Sequence, residues 1–414
     1  MDKLFSKMFF CLTISFLLFL SCNAQTNQQN DTIVNKNKTP EEIVSNKFQK
    51  AIDTNYLKIE KYYESQKKLK NIHSEKSIER EILKNKMAID SLLKAYKENL
   101  ELGLKYYKKQ LSYIKQKKIL DKKTISNRKK NDQRLNNILT KINQAKQKNK
   151  ELMNLLKLYK EYRQYKIDYN NSTNIIQNES IKLENGGSFI YNKEKYYYFI
   201  VDPKKQNINT FLKPALKNSK NHLSKIKPLK KTLENKGIHP LMITNGGMYE
   251  PNGKPVGLLI SNGKQLSSLN LKGPNHLNFY LHPNGVFFMK NDSAFIMETN
   301  EYDSIYNKKN IIPDIATQSG PMLIINGQHH PKFNHGSKSK KLRSGVGILP
   351  NGNIVFIISE KAHTNFFQFA TIFKDVFGCN NALFLDGVIS EMYIKDIHNC
   401  KNGNFGPIIY VTKK

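Results

Sequence analysis

The stretch Ser344-Gly-Val-Gly-Ile-Leu-Pro-Asn-Gly-Asn-Ile-Val-Phe-Ile-Ile-Ser359 carries the pattern that decides the fold of the second half of the chain. Two apolar runs flank Asn351-Gly352, and an Asn-Gly pair between apolar runs is the strongest local signal for a β-hairpin. The same pair recurs at Asn262-Gly263, Asn284-Gly285 and Asn326-Gly327. We therefore predict a strand-rich domain whose hairpins turn at these positions.

The strand pattern begins where the composition changes, at residues 184–187. Residues 188–191 and 196–201 read as strands, and residues 211–236 suit one or two amphipathic helices followed by Gly237. A later helix is predicted over Phe366 to Phe377, because phenylalanines recur there on one face. Together these elements predict an α+β domain over residues 184–414, rich in strands and with few helices.

The chain before this domain has a helical pattern. Residues 41–169 contain no proline and a single glycine, Gly103. One stripe of side chains recurs at alternating steps of three and four, which is the heptad spacing of a coiled coil. Its members are Leu135, Ile138, Ile142, Ala145, Asn149, Leu152, Leu156 and Tyr159. We predict a long helical coiled coil over residues 41–180, with Asn127–Gln133 as a turn between two helices; the pattern fits either a hairpin or an intermolecular coil that makes a homo-oligomer.

The positive charge of the chain is concentrated in this helical region. The 414 residues include 67 Lys and Arg against 34 Asp and Glu, a net charge of +33, and residues 101–166 alone hold 20 basic and 5 acidic residues. The lysines are either the solvated faces of helices or a surface for anionic wall polymer or lipid headgroups. Nucleic acid is not a predicted partner, because no recognition motif accompanies the charge.

The N-terminus has the features of an export signal. Lys3 and Lys7 precede an apolar run over residues 9–20, and Leu18-Phe-Leu-Ser-Cys22 resembles the bacterial lipobox. We predict a signal peptide at 1–21, lipidation of Cys22, a tether at 22–40 and an exported, membrane-anchored lipoprotein of a bacterial cell envelope, on its periplasmic or surface side. The alternative is ordinary cleavage near residue 24. Outside the cytoplasm, Cys379 and Cys400 either form a disulfide or remain two buried thiols.

Four segments of the predicted domain place polar side chains where an apolar strand meets a glycine. They are 243–249 with Asn245, Gly246 and Gly247; 316–323 with Ser319 and Gly320; 343–347 with Arg343; and 382–387 with Asp386 and Gly387, followed by Ser390. Turn chemistry alone explains any single segment of this kind. Asp386 differs because it ends a buried apolar run, where a carboxylate is either poised in a cleft or caps the turn. Arg343 is either a bidentate clamp for phosphate or carboxylate, or a surface arginine beside a lysine run.

In their order and spacing, these four segments resemble the phosphodiester glycosidase family. The resemblance covers about residues 184–414 and implies a hydrolase that cleaves the sugar–phosphate bond of a glycosyl phosphodiester in envelope or exported glycan. Many members have a second glycine and a pair of serines after Asp-Gly, whereas this chain has Val388, Ile389 and then Ser390-Glu391.

A phosphate leaving group changes what such a site needs. A phosphate monoester departs as an anion, so charge stabilisation matters more than a strong general acid. We predict that Asp386 acts at the anomeric carbon, directly or through water, with Glu391 as a second candidate. Arg343 is assigned to the phosphate together with backbone N–H groups around Gly246 and Gly247, and Asn245 orients sugar or phosphate. The remaining predicted substrate-binding positions are Ser319, Gly320, Gly387 and Ser390.

No cofactor is predicted, and the alternative left open is a divalent cation such as calcium, because a site built from carbonyls and carboxylates leaves no pattern in a sequence of this kind. The densest histidine cluster, His329-His330 with His335, lacks a metal-binding spacing and reads as a surface loop. A second function remains open, in which the same domain is a non-catalytic carbohydrate- or wall-binding module and the basic helices provide adhesion. A purely structural coiled-coil envelope protein is a third.

Overall fold

The computed structural model describes residues 39–69, 74–116, 122–214, 222–273, 277–401 and 403–414. The predicted signal peptide, Cys22 and nearly all of the tether lie outside the described residues. Two compact units are present, one formed by residues 58–171 and the other by residues up to 57 together with 172–414. Within the described residues, no helix is both long and apolar enough to cross a bilayer.

Three long helices precede the strands: α1 (Pro40–Lys68), α2 (Glu75–Lys115) and α3 (Lys122–Ser180). In the helical unit, Ile78 and Ile82 of α2 pack against Leu152 of α3. Further along the pair, the Asn85 amide donates to the carbonyl of Ala145 at 2.7 Å. The positions advance along α2 while they recede along α3, so the two helices form an antiparallel hairpin within one chain, which is one of the two predicted arrangements.

The predicted turn at Asn127–Gln133 is wrong, because these residues lie inside α3. Asn131 is 3% exposed, and its amide donates to the carbonyl of Asn99 on α2 at 2.9 Å. This contact with the neighbouring helix gives the buried amide nitrogen of Asn131 a partner inside the helical unit. The two antiparallel helices are instead α2, which ends at Lys115, and α3, which begins at Lys122.

The second unit is rich in strands and has few helices, so the predicted α+β class is confirmed. Its strands are β1 (Gly186–Tyr191), β2 (Glu194–Val201), β3 (Gln206–Phe211), β4 (Met242–Asn245), β5 (Leu259–Ser261), β6 (Lys264–Ser267), β7 (Gly285–Lys290), β8 (Ser293–Glu298), β9 (Ile315–Ser319), β10 (Met322–Ile325), β11 (Gln328–His329), β12 (Ser344–Ile348), β13 (Ile354–Ser359), β14 (Ala382–Asp386), β15 (Met392–Ile394) and β16 (Ile408–Lys413). Its short helices are α4 (Ile226–Glu234), α5 (Thr299–Tyr302) and α6 (Phe366–Thr371).

The strands form three antiparallel sheets around a shared core. The sheet orders are β1-β2-β13-β12-β14-β10-β11, β15-β4-β16-β3 and β6-β5-β9-β7-β8. One core cluster takes side chains from all three, including Phe356 of the first, Met242 of the second and Phe287 of the third. Strands that alternate between core and outer side chains fit this arrangement, in which each sheet gives one face to the core.

The Asn-Gly turns are largely where the sequence predicts them. Asn262 and Asn326 have φ of 49° and 47°, and each joins two paired strands with the glycine that follows it, as a type I′ turn requires. Asn351-Gly352 joins β12 to β13. Asn284 is the exception, because its buried amide donates to the carbonyl of Phe279 at 2.8 Å and no hairpin forms there.

The helix predictions hold in part. The late helix is present as α6 and continues as a π-helical turn over Ile372–Val376. In the described part of residues 211–236 there is one short helix, α4. Residue 211, where the predicted helical region begins, belongs to β3. Gly237 has a φ of 75°, which suits the turn that leads from α4 into β4.

The first turns of α1 and the last turns of α3 pack with the strand-rich unit. The Phe48 ring, 1% exposed, lies 5.8 Å from the rings of both Phe189 and Phe377. The Gln177 amide donates to the carbonyl of Lys374 at 3.0 Å. The sequence predicts that the helical region ends at residues 180–184. The structure instead assigns the helical residues up to 57 and from 172 onward to the strand-rich unit.

A disulfide between Cys379 and Cys400 does not form, because both cysteines are buried and free. Cys379 packs so closely against β12 that a Cβ at Gly347 would lie 2.7 Å from its sulfur. Cys400 belongs to the apolar cluster beneath α4, with Ile226 and Phe405. The structure therefore agrees with the alternative that the sequence left open, in which Cys379 and Cys400 remain two buried thiols.

Candidate active site

Asp386 lies at the end of β14, directly after a β-bulge. Ser344 of β12 is paired with Asp386 and Gly345 with Phe384, so Leu385 is an extra residue in the ladder. Leu383 and Leu385 both enter the shared core. A bulge re-aims the side chain that follows it, and here it leaves the Asp386 carboxylate partly exposed at the rim of the sheet.

The environment of Asp386 raises its pKa to about 6. Burial disfavours the charged carboxylate, and the N–H of Gly387, which donates to Oδ1 at 2.6 Å, offsets part of that effect. No cation is among the causes of the shift. A carboxyl group with this pKa changes charge close to neutral pH, as groups that transfer protons or attack carbon in active sites do.

Tyr249 is the aromatic neighbour of this carboxylate. Burial and the negative charge of Asp386 raise the pKa of Tyr249 to about 12, so its hydroxyl stays protonated. That hydroxyl donates to the carbonyl of Asn404. The Tyr249 side chain is thus held in place near Asp386, and its hydroxyl does not change charge at neutral pH.

A buried polar network fixes the base of the site. The Asn245 amide donates to Ser344 Oγ at 2.9 Å and accepts from the N–H of Glu391 at 3.2 Å. Ser344 Oγ lies 2.8 Å from Ser390 Oγ and 3.4 Å from the carbonyl of Asp386. All three side chains of Asn245, Ser344 and Ser390 are buried. The network joins β4, β12 and the turn after β14.

This network contains two of the predicted site residues. Asn245 is 0% exposed and its amide is hydrogen-bonded on both sides within the protein, so in this arrangement it positions the strands. Ser390 is also buried and holds Ser344. Both act through the backbone that carries Asp386, because buried polar networks of this kind hold a single arrangement.

Arg343 is not brought to the Asp386 carboxylate. It is 2% exposed, its Nε donates to the carbonyl of Thr364 at 2.8 Å, and its Nη2 donates to that of Ser339 at 3.1 Å. The guanidinium carbon lies 3.6 Å from the centre of the Phe366 ring. Burial lowers the pKa of Arg343 to about 10. The predicted phosphate clamp is thus corrected to an internal tie between two loops.

The geometry of β12 explains that outcome. Successive side chains of a strand point to opposite faces, and Ser344 faces the Asn245 network. Arg343 therefore points to the other face of the sheet, where Phe366 and Phe384 surround it. Its sequence context, an arginine before a Gly-x-Gly strand, does not reveal which face it takes.

The glycines after β4 are shaped by close backbone approach. The Gly246 N–H donates to the carbonyl of Pro407 at 2.8 Å, and its own carbonyl accepts from Thr317 Oγ1. Of the N–H groups predicted to meet the phosphate, the one of Gly246 is therefore hydrogen-bonded within the protein. Gly247 has a φ of 135°, and a Cβ there would lie 2.9 Å from Thr317 Oγ1, so a larger residue would not fit.

The other predicted binding positions also support the backbone. Ser319 is buried, and its Oγ donates to the carbonyl of Leu385, the bulged residue, at 3.0 Å. A Cβ at Gly320 would lie 2.6 Å from the carbonyl oxygen of Phe279. The Gly387 carbonyl accepts from the N–H of Ser390 at 2.8 Å, which closes the turn after Asp386.

Glu391, the second predicted carboxylate, lies apart from Asp386. Its Oε1 accepts from the N–H of Gly403 at 3.0 Å, and burial raises its pKa. Neither carboxyl group is among the causes of the other's shift. The Glu391 carboxylate is instead held by the backbone of Gly403.

Sequence reasoning missed three contributors, Ser344, Tyr249 and Thr317. All three lie inside or next to the quoted segments, and Ser344 follows Arg343 directly. Alternation along β12 was the available signal, because it makes either Arg343 or Ser344, and not both, face Asp386.

The histidine cluster is partly buried, whereas a surface loop was predicted. His330 is 1% exposed and stacks on Phe333, and burial lowers its pKa to about 4. Across the described residues, no group of three His, Cys, Asp or Glu side chains is arranged to hold a metal ion.

Part of the strand-rich unit is similar to a known family. Residues 240–409 match the profile of the family described as phosphodiester glycosidase. The resemblance predicted from the sequence is therefore confirmed.

Among individual proteins, the chain is similar to the uncharacterized protein YigE of Escherichia coli (strain K12), with 42% identity over 154 residues. That match covers 37% of this chain and 58% of YigE.

Two solved structures also resemble it. The catalytic domain of zebrafish N-acetylglucosamine-1-phosphodiester alpha-N-acetylglucosaminidase has a TM-score of 0.39 and 14% identity, covering 55% of this chain and 82% of that one. A hypothetical protein from Synechocystis has a TM-score of 0.36 and 13% identity, covering 55% and 61%.

Proposed function

We propose that the strand-rich unit hydrolyses the bond between a sugar and a phosphate in a glycosyl phosphodiester of envelope or exported glycan. The observation that carries the proposal is the partly exposed Asp386 carboxyl, whose pKa is raised to about 6 at the bulged end of β14. The family of the domain supports the same reaction class.

In this reaction the Asp386 carboxylate acts at the anomeric carbon, either as the base that takes a proton from the attacking water or as a nucleophile, in which case water then hydrolyses the glycosyl ester and frees the sugar. The bond from carbon to the phosphate oxygen breaks, and the phosphate leaves with the electron pair. Because its second pKa is near 6, the released phosphate monoester needs little protonation at neutral pH. One carboxylate at the rim is therefore sufficient, whereas ordinary glycosidases use two.

The turn after Asp386 supplies groups that could meet the phosphate in place of Arg343. The Gly387–Ser390 turn leaves the N–H groups of Val388 and Ile389 without a partner among the described residues, and the Val388 side chain is 71% exposed. Backbone N–H groups aimed at developing charge are the usual stabilisers of an anionic leaving group. We assign the phosphate to this turn.

The anchoring of the protein is part of the proposal. The apolar run at residues 9–20 and the Leu18–Cys22 segment support an exported lipoprotein acylated at Cys22, and two acyl chains hold a protein stably at a membrane. Labelling cells with a fatty-acid analogue should mark the wild type and not Cys22→Ala. Labelling of both would refute the anchor and leave the hydrolase proposal intact.

The second candidate is a glycan-binding module without catalysis. The burial of Arg343 and Asn245 favours it, because neither of these predicted catalytic groups reaches the rim. On this account, wild type and Asp386→Asn would bind glycan equally and neither would release product.

Mass spectrometry of products separates the two functions. The full chain would be incubated with a panel of sugar-1-phosphodiesters and envelope polymers, beside Asp386→Asn and the matched control Asp396→Asn, whose exposed carboxylate lies in a distant turn. We expect a free sugar and a phosphate monoester from the wild type and the control only. If no substrate of the panel gives a product while the chain still binds glycan, the hydrolase proposal is wrong and the binding module is favoured.

A further inference from the structure

The bulge in β14 decides which residue of β12 lies opposite Asp386. Before the bulge, Phe384 is paired with Gly345. After it, Asp386 is paired with Ser344. If the first pairing continued without the extra residue, Asp386 would lie opposite Arg343 instead. The structure therefore places Asp386 one residue away from the position that regular pairing would give it.

The bulge also determines the face of the sheet on which the Asp386 carboxylate lies. Residues directly opposite each other in an antiparallel pair have their side chains on the same face. Asp386 therefore shares the face of Ser344 and its hydrogen-bonded network. Regular alternation would place it on the face of Phe384, two residues earlier. That is the face on which the Arg343 guanidinium is buried.

Apolar burial does not distinguish the two registers. Leu383 and Leu385 belong to the shared core, and because side chains alternate, both keep that face with or without the bulge. The regular register would bring the Asp386 carboxylate beside Arg343, which is 2% exposed and has no carboxylate among the causes of its pKa shift. A carboxylate there would compensate a buried positive charge. Polar contacts must therefore hold the bulge.

Ser319 supplies such a contact. It ends β9, which belongs to the sheet β6-β5-β9-β7-β8, whereas β14 belongs to the seven-stranded sheet. Its Oγ donates across the two sheets to the carbonyl of Leu385 at 3.0 Å, and its side chain is 0% exposed. The residue that a bulge adds has no regular partner in the ladder, and buried carbonyls are ordinarily hydrogen-bonded. The Ser319 hydroxyl meets that need at the one residue that separates the two registers.

We propose that Ser319 is a positioning residue of the candidate site. Its hydroxyl holds the carbonyl of Leu385 and thereby stabilises the bulge. The bulge in turn keeps the Asp386 carboxylate opposite Ser344 and apart from Arg343. For turnover this role rests on the proposed hydrolysis, because a carboxylate paired with a guanidinium has a lowered pKa and is a weaker base. The position of the carboxylate itself does not depend on that reaction.

The charges around Asp386 make its pKa a report of the register. Among the described residues, burial and the N–H of Gly387 account for the raised pKa, and neither Arg343 nor Glu391 is among its causes. After β4, Tyr249 has a pKa raised to about 12 and is neutral. A move to the other face would add the positive charge of Arg343, which lowers the pKa of a carboxyl group.

The test compares the wild type with Ser319→Ala in the full chain, each beside its Asp386→Asn counterpart. The difference in the free energy of unfolding within each pair, measured in urea over a range of pH, gives the pKa of Asp386 without any substrate. In the wild type, the protein with the carboxyl group should lose relative stability as the pH rises through about 6. In Ser319→Ala the pKa should fall to 3.8 or lower, so relative stability should instead be lost as the pH falls through this range.

Ser261→Ala is the matched control. Ser261 ends β5, in the same sheet as Ser319, and its Oγ donates to the carbonyl of Thr210 at 2.7 Å. The control therefore removes a hydrogen bond of the same kind away from β14, and the pKa of Asp386 should stay at about 6. If Ser319→Ala does not fold by circular dichroism, Ser319→Cys replaces it, because a thiol is a weak donor.

Kinetics separates this proposal from that of the hydrolase. On a glycosyl phosphodiester that the wild type cleaves, Ser319→Ala should lower kcat/KM by about tenfold or more and shift the acidic limb of its pH profile below 6, whereas Ser261→Ala should do neither. A pKa of Asp386 that stays near 6 in Ser319→Ala, or falls equally in Ser261→Ala, would overturn the positioning role. If the wild type cleaves no substrate and the pKa falls in Ser319→Ala alone, the positioning role stands and the hydrolase proposal fails.

Discussion

Asp386 acquires its raised pKa from three local features of the chain. The bulge at Leu385 turns it out of the core, burial penalises its charge, and a single N–H from Gly387 compensates for part of that penalty. A carboxylate kept in this state costs stability, because the unfolded chain ionises it more easily. Residues whose pKa is shifted at a cost in stability are typical of active sites.

The free energy of unfolding of Asp386→Asn should show that cost in stability. The folded-state pKa of about 6 lies above the ordinary value of 3.8, so the native state binds the proton more tightly than the unfolded state does. The wild type should therefore be most stable below pH 4 with respect to this group and lose stability as the pH rises through 6. At pH 8, Asp386→Asn should be more stable by roughly 1–3 kcal/mol in urea unfolding. A variant that is less stable than the wild type at pH 8 and equal to it at pH 4 would contradict this.

The pH dependence of turnover should report the same group. If Asp386 works as a carboxylate, kcat/KM should be low under acidic conditions and rise through an apparent pKa near 6, following the free enzyme. The profile should be the same in Glu391→Gln apart from its amplitude. A rise centred near pH 4 would mean that the Asp386 carboxylate is not desolvated in the free enzyme, and it would contradict this prediction.

Arg343 should behave as a structural residue. Arg343→Lys loses the stacking on Phe366 and one of two hydrogen bonds to carbonyls, so it should destabilise the fold by about 2–4 kcal/mol. The activity per folded molecule should stay within about threefold of the wild type, because the guanidinium does not face Asp386. Lys340→Arg, at an exposed neighbouring position, is the control. A loss of kcat that grows with the charge of the leaving group would instead place Arg343 at the phosphate.

At the level of elements, the ends of β4, β12 and β14 meet because Asn245, Ser344 and Ser390 are hydrogen-bonded below them. Ser319 adds a tie from β9 to the bulge. Most of the polar residues that the sequence assigned to substrate binding instead form hydrogen bonds that position the backbone carrying Asp386. Their presence at glycine turns reflects close packing of backbones as much as chemistry.

The sequence predicts these elements well where local signals are strong. Asn262-Gly263 and Asn326-Gly327 form the expected turns, and the phenylalanines of α6 mark a real helix. It fails where a partner far along the chain decides the outcome. Asn131 stays helical because Asn99 accepts its hydrogen bond, and Arg343 takes the outer face of its sheet. The bulge at Leu385 leaves no local trace, since Ala382–Asp386 reads as a regular strand.

The start of α1 should contribute to the stability of the strand-rich unit. Phe48 is buried between Phe189 and Phe377, and removing such a ring leaves a cavity. Phe48→Ala should destabilise the unit by about 3–5 kcal/mol in urea unfolding followed by near-ultraviolet circular dichroism. Leu57→Ala on the same helix, where the side chain is 55% exposed, should change the stability by less than about 0.5 kcal/mol. Equal effects of the two would mean that α1 is not anchored through Phe48.

The whole molecule combines a basic helical unit with a strand-rich unit that resembles the phosphodiester glycosidase family over residues 240–409. The positive charge is concentrated in residues 101–166, in a different part of the chain from Asp386. We propose that the strand-rich unit breaks a single bond, the one between the anomeric carbon and the phosphate oxygen.

Hydrolysis in ¹⁸O-labelled water tests that claim most directly, because it shows which atom water attacks. The wild type would cleave a glycosyl phosphodiester found in the substrate panel, and both products would be weighed by mass spectrometry. We predict that the ¹⁸O appears on the anomeric carbon of the released sugar, that the phosphate monoester carries none, and that Asp386→Asn yields neither product at a comparable rate. Label in the phosphate would show attack at phosphorus, and the assignment of Asp386 to the anomeric carbon would then be wrong.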